Sequence, residues 1–268
     1  MMFALLMLAC SDEPAVTPAP GVDPTAAPPP PASIPLDSQA KARVLAPSPR
    51  EMEAAVRKAG IADALGPLIP ERAYKMDSAA ASIIAVRTGV VLADAILTPA
   101  TAPKEQFVAR LELLNSGMKS VGMGAGLVAT MQDMLTRVKN DAASRDDFVA
   151  EVDAVASQMV PDEGWGPTDR SGPLVQAGAW LEAANLVSTA IIAANKPEAA
   201  SSLLQQKDVP EYFLKYIETD APAEADRAVL VQLKLTLTDL RDLSNKPVLT
   251  MDDVQKIKNN CDLLLTLL

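Results

Sequence analysis

The sequence predicts an all-α fold, an irregular multi-helix bundle of about eight to ten helices around two buried apolar ones. Three observations carry this. Aromatic residues make up only 3% of a chain that is 49% hydrophobic, and Ala and Leu, which lose little rotamer freedom in a helix, supply the apolar content. Beyond residue 48 the apolar residues recur at three- and four-residue spacing. Pro and Gly gather in short clusters that separate those runs. No fixed-period repeat is visible, so a regular solenoid is not expected.

Taken in order, Ser48-Pro49-Arg50-Glu51 combines an N-cap serine, proline at the first helical position and a glutamate placed to bond back. A single helical domain is therefore expected over 48–268, opening with a short helix to about Gly60. Gly66-Pro67 and Pro70 mark a connection. Ser78 to Thr98 lacks proline, stops at Pro99 and is apolar almost all round, the pattern of a buried central helix. Phe107, Leu111, Leu114, Met118 and Val121 keep to one face of an amphipathic helix starting at Lys104. The run Gly122-Met123-Gly124-Ala125-Gly126 either interrupts that helix or permits a close crossing, and helix resumes over Leu127 to Asn140. Ser144-Arg145-Asp146-Asp147 opens a further helix to Val160, followed by a Gly- and Pro-rich loop from Asp162 to Pro173.

Leu174 to Asn195 is the second nearly all-apolar helix; Glu182 and Asn185 in its middle argue against a membrane span. Glu198–Gln206 and Glu211–Thr219 read as short helices divided at Pro210. The segment from Ala223 to Ser244 contains a conflict. Val231, Leu233, Leu235 and Leu237 alternate like a strand, while Leu230, Leu233, Leu237 and Leu240 follow a helix. Length, Leu content and the lack of internal Gly or Pro favour helix. Thr250-Met251-Asp252-Asp253 caps a last helix to Leu268.

Composition also excludes function classes. A net charge of -10 argues against a sequence-independent grip on nucleic acid or anionic lipid headgroups, which needs a basic surface. The chain has no histidine, and so lacks the commonest general base and transition-metal ligand. Cys10 and Cys261 stand at opposite ends, which leaves neither a disulfide framework nor a zinc cluster. No catalytic set, cofactor or metal is assigned from these residues. Gly122, Gly124 and Gly126 fail the dinucleotide-binding spacing. Asp252 and Asp253 read as helix capping rather than a cation site, and Trp180 and Cys261 as core.

Residues 1–9, MMFALLMLA, form an apolar run too short to cross a bilayer, which takes about 20 residues. Met7-Leu8-Ala9-Cys10 resembles a bacterial lipobox, with Met7 where Leu is usual. That resemblance implies a signal peptide over 1–9, thioether lipidation of Cys10 and cleavage before it. No Lys or Arg precedes the run, so the translation start is expected upstream. Ser11, in the position where Asp retains enteric lipoproteins in the inner membrane, implies the outer membrane, with the domain in the periplasm. Residues 10–47 are rich in Pro and Ala and cannot bury enough apolar area to order themselves, so they are expected to be a disordered tether.

The candidate interior site comes from charge within the two apolar helices. Arg87 and Asp94 are seven residues apart and share a helical face with Ile83, Val90 and Leu97. Gly178, Glu182, Asn185 and Thr189 form a polar stripe on the second helix. If the helices are neighbours, Arg87 bridges Asp94 and Glu182. Two readings stay open: a buried network that fixes register, or the polar floor of a ligand pocket in which Arg87 holds an anionic group. Trp165, Asp169 and Arg170, in the loop before the second apolar helix, are a candidate recognition loop.

Arg87-Thr88-Gly89-Val90-Val91-Leu92-Ala93-Asp94 and Gly178-Ala179-Trp180-Leu181-Glu182 are similar to stretches of uncharacterised all-helical bacterial lipoprotein families. Those families imply no activity, but they suggest that the charged positions belong together. The expectation is a lipid-anchored envelope protein whose helical domain binds an unknown protein or small molecule. A purely structural envelope protein, or a hydrolase or transferase using Asp94 and Glu182, is the alternative.

Overall fold

The computed structural model describes residues 49–77, 79–99, 101–156, 172–219 and 227–268. Within them the chain is all-α, with eleven helices and no strand: α1 (Pro49–Lys58), α2 (Ala62–Leu65), α3 (Ala81–Leu97), α4 (Lys104–Val121), α5 (Ala125–Lys139), α6 (Arg145–Ala156), α7 (Gly172–Ala194), α8 (Ala200–Leu204), α9 (Asp208–Thr219), α10 (Arg227–Ser244) and α11 (Met251–Thr266). Cys10, with the lipobox-like residues and the tether, and the loop carrying Trp165, Asp169 and Arg170 lie outside the described residues.

The two helices without a polar face, α3 and α7, form the centre. Thirteen of the seventeen residues of α3 are buried, and α7 is buried along most of its length. By length and composition α7 is apolar enough to cross a membrane, but in this fold its apolar surface packs inside the bundle. The two helices pack most extensively against each other, with α4 on the far side of α3 and α11 against α7. Glycine permits this approach. A Cβ on Gly89 would stand 1.9 Å from the Val175 carbonyl oxygen, and one on Gly178 would stand 2.2 Å from that of Val86. The helices thus meet backbone to backbone at two reciprocal points. At the C-terminal end of α3, Arg110 donates to Thr98 Oγ1 at 2.6 Å and Arg145 donates to the Ile96 carbonyl. Two cations therefore meet the negative end of the helix dipole.

Several local expectations are sharpened. Gly122 ends α4 with φ +80°, a left-handed cap that suits glycine, while Gly126 has nothing near its Cβ position. The glycine run therefore breaks the helix at Gly122, and Gly126 makes no close approach. Pro210 does not divide two helices. It lies in the first turn of α9, where a missing N–H leaves no intrahelical bond unmade. In α10 the alternation resolves as helix: Leu233, Leu237 and Leu240 are buried, while Val231 and Leu235 lie on the solvent side at 59% and 56% exposure. Thr250 and Asp253 form a reciprocal capping box at the start of α11.

Candidate functional site

Asp94 lies one turn from the end of α3, five residues beyond Gly89. Glu182 lies on α7, four residues beyond Gly178. The close backbone crossing at these glycines therefore brings the two carboxyls together in the interior, where their side chains are 1% and 0% exposed. The cation between them is Arg72, not Arg87. Arg72 belongs to the non-helical strap that runs from Ile69 to α3, and its guanidinium enters between the two central helices. Its Nε donates to Asp94 Oδ2 at 2.5 Å, Nη1 donates to the Tyr74 hydroxyl at 3.0 Å, and Nη2 stands 2.5 Å from Glu182 Oε1.

Two buried carboxyls share the Arg72 guanidinium, and Arg110 acts on Asp94 from a greater distance, so Glu182 is the carboxyl with less cationic compensation. The geometry distinguishes them. Asp94 accepts an aligned bond from Arg72, whereas neither Glu182 oxygen lies along an N–H despite the short contact. Burial, then the Asp94 charge, pushes the Glu182 carboxyl well above the usual carboxylate range. Burial also raises Asp94, but Arg72 and the hydrogen bond from Glu182 act against that rise. Of the two carboxyls, Glu182 is therefore the one held further toward its protonated form. Burial works against the Arg72 cation, yet Glu182 and Asp94 outweigh it and hold Arg72 above its ordinary value. Both carboxyls are closed off from solvent, while Arg72 keeps 12% exposure.

Arg87 takes a different role. Its Nη1 donates to the Lys75 carbonyl at 2.9 Å and its Nε to the main-chain oxygen of Leu268. Its guanidinium lies 5.4 Å from the Tyr74 ring centroid, as does that of Arg72. Arg87 therefore ties the strap and the end of the chain to α3, with cation–π contact to the same ring. Asn185, one turn beyond Glu182, has a buried Oδ1 without a partner and no bond to Arg72. The Ser188 hydroxyl, fully buried on α7, is likewise unpartnered.

The opposite side of α7 holds a second feature, which the sequence reading missed. A cavity of about 260 Å³ opens between α1, α7, α8, α10 and α11. Met52, Val56, Ala183, Val187, Leu240 and Ile257 supply its aliphatic walls. Alanines where a bundle would ordinarily place larger side chains leave the space. Trp180 is core as expected, but it also forms one wall, held by its Nε1–H donating to Gln206 Oε1 at 2.8 Å. Beside the cavity a shallower polar recess of about 590 Å³ is lined by Gln205, Lys207, Asp208, Asn245 and Lys246, and Gln206 and Ser244 belong to both walls.

Among the described residues no group of three or more Cys, Asp or Glu could hold a metal ion. Cys261 is fully buried, and burial pushes its thiol up, away from the reactive thiolate. Compared with protein-family models, with curated proteins and with solved structures, the chain matches none.

Proposed function

We propose that this chain is a bacterial envelope lipoprotein, anchored through lipid on Cys10 and leaning towards the outer membrane, whose helical domain is a binding module for a small apolar ligand. The observation that carries the binding reading is the cavity beside Trp180. It is aliphatic, has a few polar groups at its edge, and approaches the lower end of the size range of small-molecule sites. The address rests on Met7-Leu8-Ala9-Cys10 and the proline-rich segment that leads to α1. The interior Arg72–Asp94–Glu182 set favours a second reading, a purely structural envelope protein. Carboxyls at 1% and 0% exposure give no support to hydrolysis or transfer at that point.

The test is made on protein expressed in a bacterium from its native gene, beside a Cys10→Ala version. A diacylglycerol-sized mass gain and membrane partition in the wild type alone support the address; unmodified soluble protein in both overturns it. An environment-sensitive apolar dye then tests the cavity. Saturable binding that is lost in Ala184→Leu, which fills the space, and in Ala55→Leu, which fills it from α1, supports the module. Dye binding unchanged by either substitution, or no binding, leaves the structural reading.

A further inference from the structure

We infer that the apolar cavity and the polar recess beside it form one amphiphile site, which takes a single alkyl chain bearing an uncharged, hydrogen-bonding head, as in a monoacylglycerol. This rests on the ligand-binding reading above and names its ligand class.

Size sets the tail. An apolar cavity of about 150 Å³ holds a six-carbon ring, so on the order of ten carbons fit the space of about 260 Å³. Rigid sterol-like or two-chain ligands exceed it. Continuity sets the shape: Gln206 and Ser244 stand in both walls, so a chain filling the cavity emerges across them into the recess. An alkane would leave that recess unused.

Charge selects the head. Lys246 Nζ lies 2.5 Å from Asp253 Oδ1, so its charge is already met. Lys207 and Asp208, adjacent in the chain and both in the wall, carry opposite charges. The recess therefore has no net charge to match either a carboxylate or an ammonium group. Ser244 and Asn245 supply hydroxyl and amide chemistry suited to glycerol-like hydroxyls, while the Gln205 and Gln206 side-chain NH2 groups already donate to the Lys246 and Leu203 carbonyls and Gln206 Oε1 accepts from Trp180.

The experiment uses the full chain with Trp165→Phe, so that Trp180 alone reports. It is titrated with 1-decanoylglycerol below its aggregation concentration, then with decanoate and with decyltrimethylammonium, and each is also tested for displacing the apolar dye. The expected result is a saturable change in Trp180 emission and dye displacement by decanoylglycerol. Binding should weaken about ten-fold or more for both charged analogues, the effect of one unmet polar interaction, and be lost in Ala184→Leu. If the dye binds and Ala184→Leu blocks it but decanoylglycerol does not displace it, the ligand-binding module stands and the amphiphile assignment is overturned. Equal or tighter binding of decanoate overturns the uncharged head. Absence of dye and amphiphile binding together removes both readings.

Discussion

Replacing Glu182 by Gln separates charge from shape at a fully buried polar position of the fold. The Gln side chain matches Glu in size and retains a donor towards Asp94, but it carries no proton that can be lost. In the wild type, Glu182 holds its proton well above the usual carboxylate range. A folded-state value raised above the unfolded one stabilises the protein fully below the unfolded value, about 4.3 for Glu. That contribution is lost as pH rises through the folded value. The slope is about 1.4 kcal/mol per pH unit for one proton. Urea unfolding of both proteins, followed by far-UV circular dichroism from about pH 4 to about pH 8, reads this directly. Glu182→Gln should gain on the wild type as pH rises, by up to about 1.4 kcal/mol per unit across the window, then level off. A constant difference, or a wild type that gains on the variant with rising pH, would place a permanently ionised Glu182 on Arg72 and refute the account of a Glu182 held toward its protonated form.

Two further substitutions test other contacts. Gly89→Ala places a methyl group 1.9 Å from the Val175 carbonyl oxygen, so α3 and α7 must separate. A loss of at least the 1–3 kcal/mol, roughly, of core overpacking is expected in urea unfolding, and a neutral result would contradict the close crossing. Asp253→Asn weakens the hydrogen bond from Lys246 and the capping box with Thr250, which hold the Asp253 carboxyl down at about 2. The cost should be about 1 kcal/mol near neutrality. Because this folded value is depressed, its contribution exists above the unfolded value of about 3.9 and disappears as pH falls through about 2. The gap between the two proteins in acid unfolding should therefore close over that interval.

Helix existence was legible residue by residue, because apolar spacing and capping are local properties. The lack of a polar face on the segments that became α3 and α7 marked them as central, and Thr250 with Asp253 marked the start of α11. Asp94 and Glu182 stood out because carboxyls in nearly all-apolar helices must find partners. Which partner they found was not legible. Arg87 has the helical spacing that suggests a bridge, whereas Arg72 sits in a non-periodic strap after Pro70, and only the path of that strap decides that its guanidinium reaches both carboxyls. The cavity was hidden for a related reason: the polar stripe of α7 marks the side bearing Glu182, but an apolar opposite side bearing Trp180, Ala183 and Val187 reads the same whether neighbouring helices fill the space against it or leave it open. The sequence by itself determined the helices, the two that lie innermost and the buried acids. The tertiary structure alone decided which cation neutralises those acids and where space remains beside Trp180, since both depend on the long-range placement of segments far apart in the chain.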